Sequence, residues 1–438
     1  MKTVYSNNDY IKLGDRIRKD TSNISEHDLE ILQQLRVSYK EPLSIIFNNI
    51  EKLAHAVDPH CVCTYRIKRI ESIISKLIRF PKMHINRAED IAGCRCILSE
   101  EKQVYELYNR ILKKKDQINI EIKGKVNDYI ETPKESGYKS IHLNVVLKGD
   151  NKRIEIQLRS IEHHNWATLV EITDLLYGLK LKEIGAKSNP ELFRFHYLLS
   201  KPQNSIKIQE VNEIVNIVIK NNYIQKLGDV FVQNLDVRQQ WNSLKSKKDQ
   251  FFLIATGMDG VPGIMAFKNF DDAESAYFEK FINNKSNKNI VLTHLKQTNF
   301  AKISAAYSNY FLTFNNTMVK ILMYLSIAVE ESYKKNKIRA FKKYYQAFLD
   351  IMLFWMNKQI VEIELYNHDN NGRKYTLKYK EWGATITYGI QNFNKMFSIT
   401  NSKLRFRLKN FIVYYIAQSK RKAFETRANT IIQRKSNS

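Results

Sequence analysis

The sequence predicts an α+β protein: a mixed sheet flanked by helices, then a mostly helical C-terminal region holding a small α+β part. Three observations carry this. Apolar residues recur at helical spacing over 29–57, whereas 139–147 and 153–158 alternate apolar and polar residues as strands with one buried face do. Between residues 66 and 177 such helices and strands interleave. The length of 438 residues exceeds the ~250–300 at which single cores stop growing, so several domains are expected.

Taken in order, 29–57 is a helix broken or kinked at Pro42, and 66–80 is a second helix stopped by Pro81. A strand at 90–98, a helix at 101–114, a short strand at 118–122, the strands 139–147 and 153–158 and a helix at 161–177 follow. Past Gly178, 189–245 reads as helical. Residues 251–295 read strand, turn (Met258-Asp259-Gly260), strand, helix, strand, enough to close a small α+β unit. Residues 314–358 suit two helices, 361–366 and 373–379 a hairpin across His368 to Gly372, and 403–419 a basic helix before a loose tail from Thr426. Neither an internal repeat nor a low-complexity linker is present. The expected domains are 25–180, 181–310 and 311–438.

Composition narrows the function classes. A hydrophobic fraction of 43% with 11% aromatics excludes a disordered chain. The start MKTVYSNNDY lacks the apolar core of a signal peptide, and no apolar run approaches the ~18 residues of a membrane span, so a cytoplasmic protein without membrane contact is expected. Four cysteines argue against a disulfide framework. Cys61, Cys63, Cys94 and Cys96, with His55, His60 and His84 nearby, invite a zinc reading, but Cys94 and Cys96 fall in an apolar strand and read as small buried thiols. The net charge of +25, concentrated toward the C-terminus at Lys403, Arg405, Arg407, Lys409 and Lys420 to Lys422, would attract polyanions. A solvated lysine-rich surface explains it equally well.

Chemistry-bearing residues cluster in the first 180 positions. Steps of three and four place Lys68, Ser72, Ser75, Lys76 and Arg79 on one helical face, opposite Ile70, Ile73, Ile74 and Leu77. Such a stripe is a phosphate-gripping wall or a solvated face. No GxxxxGK[ST] or GxGxxG loop occurs, so side chains must supply any charge that holds phosphate. Asp90 precedes an apolar strand, and period two sets Arg153, Glu155, Gln157 and Arg159 on one strand face. Glu155 then reads as a salt-bridge partner of Arg159 or, with Asp90, as half of a Mg²⁺ site. Gly137 permits a tight turn before Tyr138, whose ring is a loop aromatic or a stacking platform. His163, His164 and Glu171 on the next helix invite a metal reading that competes with packing.

Four blocks, RIKRIESIISK at 66–76, DIAGCR at 90–95, DYI at 128–130 with PKESGYKSIH at 133–142, and IEIQLR at 154–159 with HNWATLVEITDLLY at 164–177, resemble in composition and order the RelA/SpoT-type nucleotidyltransferases over roughly 25–180. The resemblance implies a nucleotidyltransferase-like mixed sheet and a pyrophosphokinase that moves the β,γ-pyrophosphate of ATP onto a ribose 3′ hydroxyl. It implies that Arg66 flanks the ATP base, that Lys68, Ser72 and Lys76 hold phosphates, and that Arg79 and Arg95 belong to the ATP side. Asp90 and Glu155 are implied as Mg²⁺ ligands and catalytic residues, Glu155 also as an acceptor of the hydroxyl proton. Tyr138 is implied to stack on the acceptor purine, with Lys134, His142, Gln157 and Arg159 beside it, and Trp166 to pack in the core.

The chain departs from the pattern at Ser160, where threonine is usual, and at Asn127, where a basic residue often precedes DYI. The synthetase-like region starts too early for the family's hydrolase domain, and His27-Asp28 and His368-Asp369 are isolated, so synthesis without hydrolysis is expected. Two acceptors remain open: GDP or GTP, giving (p)ppGpp, and the 3′ end of tRNA, as in toxic relatives. A non-catalytic nucleotide-binding module is the reading from another class, disfavoured because Asp90, Glu155, Lys76, Tyr138 and Arg159 are all present. The region beyond 180 would sense a regulatory protein partner. Tyr307-Ser-Asn-Tyr310 resembles a paired-tyrosine motif that plugs the ATP site of some fused synthetases, although core packing also explains it.

Overall fold

The first helices begin where the sequence supplies their caps. In the computed structural model, which describes residues 5–21, 23–85, 88–228, 251–256, 262–283, 290–294, 314–368 and 419, Ser6 and Asp9 form a reciprocal capping box at α1 (Asn7–Lys19). Ser25 caps α2 (Glu26–Ser38). Pro42 lies in the first turn of α3 (Lys40–His55), where a helix makes no use of the missing N–H. The apolar stretch 29–57 is therefore two helices meeting at Tyr39.

The expected helix 66–80 is shorter. Arg66 and Ile67 close strand β1 (Val62–Ile67), Lys68 and Arg69 link it to the next element, and the helix proper is α4 (Ile70–Arg79). The β-branched and aromatic run Val62 to Tyr65 favours the extended form that carries Arg66 with it. Thereafter the order is β2 (Ala92–Leu98), α5 (Glu101–Lys114), β3 (Ile120–Ile122), β4 (Asn127–Asp128), β5 (Ile141–Leu147), β6 (Ile154–Ser160) and α6 (Ile161–Tyr177), as the periodicity predicts apart from the two-residue β4.

These strands form a mixed sheet, and its register positions the site. β2 and β6 run parallel with Gly93 opposite Glu155 and Arg95 opposite Gln157, which brings the turn holding Asp90 to the end of β6 where Glu155 lies. Antiparallel β1 sets Arg66 against Gly93 and Thr64 against Arg95, and antiparallel β5 sets His142 against Gln157. Period two sends Ile141, Leu143, Val145, Ile154, Ile156 and Leu158 to the other face, where all are fully buried.

The α+β segment after residue 250 does not close on itself. β7 (Phe251–Thr256), β8 (Pro262–Phe267), α10 (Phe270–Asn283) and β9 (Ile290–His294) extend the same sheet, in the order β3-β5-β6-β2-β1-β9-β7-β8, with β4 on β5. Without β9 the edge of β1 would carry unpaired backbone groups. Tyr65 pairs with His294 across this junction, their rings stacked 4.7 Å apart with Phe47 edge-on to both.

By its internal packing the chain divides into Met1–Glu183 with Asp236–Leu312, and Ile184–Leu235 with Thr313–Ser438. This differs from the consecutive blocks 25–180, 181–310 and 311–438. The helices that follow α7 (Leu181–Ile184), namely α8 (Pro190–Leu199) and α9 (Ile208–Lys220), group with α11 (Phe314–Lys334) and α12 (Ile338–His368), whereas the strands between them join the first sheet. Within that second unit α11 packs on α9 and α12, and Lys320 donates to the Leu199 carbonyl at 2.7 Å. The strand expected at 361–366 is instead the continuation of α12, since a nucleated helix propagates through a short β-branched run. Its expected partner 373–379, the turn at Met258, the cations from Lys403 to Lys422, the tail from Thr426 and the pair Tyr307 and Tyr310 lie outside the described residues. Among the described residues, no helix is long and apolar enough to cross a membrane.

Candidate active site

A cleft of about 130 Å³ opens on the polar face of β1, β2 and β6. Arg66, Lys68, Asp90, Arg95, Glu155 and Gln157 line it, together with Thr64 and Gly93. Strand alternation puts Thr64, Arg66, Gly93, Arg95, Glu155 and Gln157 on one face, the parallel β2–β6 pair gathers them at one level, and Lys68 and Asp90 join them from the segments after β1 and before β2.

Asp90 is clamped by two cations. Its Oδ1 accepts from Lys76 Nζ at 2.5 Å and its Oδ2 from Lys68 Nζ at 2.6 Å. Burial pushes the Asp90 carboxyl up, but the charges and hydrogen bonds of Lys68 and Lys76 outweigh it, so the acid sits below its ordinary value. Lys68 is itself lowered, first by burial.

Glu155 heads a hydrogen-bonded chain. His142 Nδ1 lies 2.9 Å from Glu155 Oε1, Gln157 donates to Oε2 at 2.6 Å, and Tyr138 Oη lies 2.7 Å from His142 Nε2. Arg159 donates to the Tyr138 hydroxyl at 2.5 Å and to Gln157 Oε1 at 2.9 Å, and Arg95 donates to the same Oε1 at 3.3 Å. One assignment satisfies every link: a neutral His142 donates from Nδ1 to the carboxylate and accepts the tyrosine proton at Nε2. Burial lowers the His142 imidazole, in keeping with that neutral form. Burial also pushes Glu155 up, and the His142 and Gln157 hydrogen bonds with the Arg159 charge bring it below its ordinary value. A protonated His142 would deepen this depression, but burial disfavours that form, so the hydrogen bonds and Arg159 do the holding.

Beside this chain stands an aromatic corner. Tyr138 and Tyr129 meet edge-on at 5.9 Å, Trp166 is tilted 6.4 Å from Tyr138, and Lys134 Nζ lies 4.4 Å from the Tyr129 ring centre and 5.3 Å from that of Tyr138. Gly137, at φ 88°, makes the turn that presents Tyr138, and its N–H donates to the Lys134 carbonyl at 2.7 Å.

The structure thus brings together Arg66, Lys68, Lys76, Asp90, Arg95, Lys134, Tyr138, His142, Glu155, Gln157 and Arg159. Lys76, Lys134, Tyr138, His142 and Arg159 surround the cleft lining through the contacts just given, whereas Ser72 and Arg79 join neither the lining nor those contacts. Ser72 is half-buried on α4, and Arg79, at the last turn of α4, pairs with Glu183 at 2.9 Å. The salt bridge weighed between Glu155 and Arg159 is not formed; Arg159 reaches Glu155 only through Gln157 and Tyr138–His142. The four cysteines are buried, with Cys63 and Cys96 facing each other at 3.4 Å between sulfurs. His163 lies 3.3 Å from Glu101, and His164 is buried in the α6 packing. Among the described residues no group of three or more His, Cys, Asp or Glu side chains is placed to hold a metal.

Three contributors were missed by sequence reasoning. Thr64 and Tyr129 carry no signal of their own. Gly93 does: an isolated glycine inside a strand marks a close approach, and a Cβ there would stand 2.6 Å from the Glu155 carbonyl oxygen.

Chemically, the arrangement suits an anion. Burial lowers the Arg95 guanidinium, and the like charges of Arg159 and Arg66 lower it further, a crowding that bound phosphate would relieve. Two carboxylates within one cleft form a hard oxygen donor set, which matches Mg²⁺ when phosphate oxygens and water complete its six ligands.

Residues 65–179 match the sequence profile described as "Region found in RelA / SpoT proteins". Over 131 residues the chain is 37% identical to the GTP pyrophosphokinase YwaC of Bacillus subtilis (strain 168), covering 27% of this chain and 59% of that protein. It is 32% identical over 140 residues to the probable chloroplastic GTP diphosphokinase RSH2 of Arabidopsis thaliana, covering 31% of this chain and 18% of that one. Among solved structures, small alarmone synthetase 1 of Bacillus subtilis bound to its product pppGpp aligns over 39% of this chain and 92% of its own at 23% identity, with a TM-score of 0.33. The chain therefore spans about three fifths of YwaC and a smaller share of RSH2. Residues 65–179 are a RelA/SpoT-type region.

Proposed function

We propose that this cleft is the active site of a pyrophosphokinase that transfers the β,γ-pyrophosphate of ATP to the 3′ hydroxyl of GDP or GTP, making (p)ppGpp. One observation carries the reading. Within a RelA/SpoT-type region, the parallel β2–β6 pair delivers Asp90 and Glu155 to a single cleft walled by Arg66, Lys68 and Arg95.

In this reading the acceptor's 3′ oxygen bonds to Pβ of ATP while the bond from Pβ to the α,β-bridging oxygen breaks, releasing AMP and a proton. Mg²⁺, held by Asp90 and Glu155, would neutralise charge on the β- and γ-phosphates and align them for in-line attack. Lys68 and Lys76 exchange Asp90 for phosphate oxygens when nucleotide arrives, and Arg66 and Arg95 flank the ATP. Tyr138 stacks on the acceptor base, with Lys134, His142, Gln157 and Arg159 setting the acceptor's position.

A second acceptor is favoured by one specific feature, the net charge of +25. In that reading the terminal adenosine of tRNA occupies the Tyr138 corner and basic C-terminal residues hold the tRNA backbone. Incubating the protein with γ-³²P-ATP and GDP, GTP or bulk tRNA separates the two. Label in guanine nucleotide alone supports the first, label in tRNA the second, and no label in any acceptor removes both and leaves a binding module.

A further inference from the structure

The link that carries Lys68 is gripped by residues distant in sequence. Lys68 lies between β1 and α4, and its Nζ holds Asp90. Its backbone N–H donates to the Ile91 carbonyl at 2.7 Å, and its carbonyl accepts from Arg36 Nε at 2.9 Å. Two residues on, the Ile70 N–H donates to the hydroxyl of Tyr277 at 3.0 Å. Ile70 opens α4, and the N-cap Arg69 makes no side-chain cap bond. The first N–H groups of a helix have no partner within it, so α10 supplies from outside what the local sequence lacks.

Arg36 and Tyr277 are themselves locked. Arg36 is fully buried on α2, its Nη1 donates to Glu274 Oε2 at 3.0 Å, and its guanidinium lies 4.2 Å from the Tyr277 ring centre. Gln33 donates to the same Glu274 oxygen at 2.9 Å. Glu274, on α10, is 3% exposed. A buried charge pair is a poor source of stability, because desolvating both ions offsets most of their attraction, whereas it defines geometry sharply when every hydrogen bond is made. Here that geometry ends on two backbone groups, the Lys68 carbonyl and the Ile70 N–H.

We propose that Arg36, Glu274 and Tyr277 are positioning residues for the nucleotide cleft, and that the β7–β8–α10–β9 segment is consequently a working part of the ATP side and not a separate module. The three act through Lys68 and the start of α4, which carries Lys76, and they touch neither substrate. This rests on the reading above that Lys68 and Lys76 serve ATP.

The experiment uses the full chain and compares Tyr277→Phe, which deletes one hydroxyl, with Arg36→Lys, which keeps the charge facing Glu274 but removes the planar fork that reaches the Lys68 carbonyl. Each should raise KM for ATP about five- to tenfold, the worth of one buried hydrogen bond, while KM for the acceptor stays unchanged. Ile111→Val, a core change on α5 outside that segment, should lower the melting temperature and leave KM for ATP alone. The proposal is overturned if Tyr277→Phe and Arg36→Lys both melt early yet keep the wild-type KM for ATP, since that is a structural role only. A wild-type protein that neither transfers label nor binds a non-hydrolysable ATP analogue overturns instead the reading of the cleft, and the two failures are told apart by that measurement.

Discussion

Gly93→Ala isolates what the parallel pair contributes. In register, Gly93 faces Glu155 across β2 and β6, and an added Cβ would stand 2.6 Å from the Glu155 carbonyl oxygen and 3.4 Å from its Cβ. Ordinary contact begins at 3.4 Å, so backbone must separate by 3.4 − 2.6 = 0.8 Å at the register position of Glu155. The neighbour is backbone, which cannot swing aside as a side chain would. Overpacking of this kind costs about 1–3 kcal/mol, and at roughly 2–4 °C per kcal/mol for a unit of this size the melting temperature should fall by several degrees. The effect on chemistry is larger than the effect on stability. Glu155 rides on the displaced strand while His142 sits on β5, and a misplacement near 1 Å in a catalytic constellation lowers the rate on the order of 100-fold. Steady-state transfer from ATP to guanine nucleotide, run beside calorimetry, reads both quantities. Gly14→Ala is the control, because its Cβ meets Arg18 and Leu77 at 3.6–3.8 Å and replaces a helical glycine, so it should stabilise slightly. A Gly93→Ala protein with wild-type melting and turnover would refute the account of how the sheet sets Glu155 beside Asp90.

Asp90→Asn removes the charge that Lys68 and Lys76 share; transfer should drop by more than about 100-fold with the fold retained, measured by turnover and circular dichroism, and near-normal turnover would remove Asp90 from the chemistry. Glu155 has a folded carboxyl below its unfolded value of 4.5, so it adds stability above that pH which is lost as pH falls through the depressed folded value. His142, lowered from 6.5, acts in the same direction, because charging the buried ring on acidification opposes folding. Acid unfolding of Glu155→Gln should accordingly be shallower than wild type, and identical curves would deny the depression. Tyr138→Ala should raise KM for the acceptor by the ~1–3 kcal/mol of a lost stack. Tyr138→Phe keeps the ring but breaks the link between Arg159 and His142, so it should lower kcat with little change in acceptor KM; equal KM values for the Ala and Phe variants would mean that the ring does not stack.

The part of the site that lies on regular strands was legible. Period two in IEIQLR put Glu155, Gln157 and Arg159 on one face, and the strand after Asp90 followed from its apolar run. The helix 66–80 was misjudged at its start, because RIKRI satisfies strand and helix patterns equally over so few residues and only pairing of Arg66 with Gly93 decides between them. Long-range sheet completion was not legible either. Nothing local in 290–294 says that His294 pairs with Tyr65 and not with a strand of its own small unit. Likewise Arg36 reads as an ordinary surface arginine on an amphipathic helix until Glu274 arrives from 238 residues away.

The hydrogen-bond chain bears on which of two roles Glu155 takes. A general base works best when its conjugate acid has a pKa near the working pH, since a weaker base leaves the proton where it was. Both oxygens of Glu155 already accept, from His142 and Gln157, and the net effect holds its acid form below the ordinary carboxylate range. Such a group is a poor proton acceptor and a well-prepared anionic ligand, fixed in direction and reliably charged. His142 orients it from β5 and Gln157 from its own strand β6, leaving its carboxylate among the residues that line the cleft with Asp90. The geometry therefore weighs toward Glu155 as a charge-holding and metal-holding residue. Replacing His142 by an apolar residue removes a bond that holds the Glu155 acid down, so the acidic limb of the transfer profile should move to higher pH; if Glu155 is an ionised ligand, saturating Mg²⁺ competes with the proton and moves the limb back, whereas if Glu155 is the base the limb stays displaced at saturating Mg²⁺.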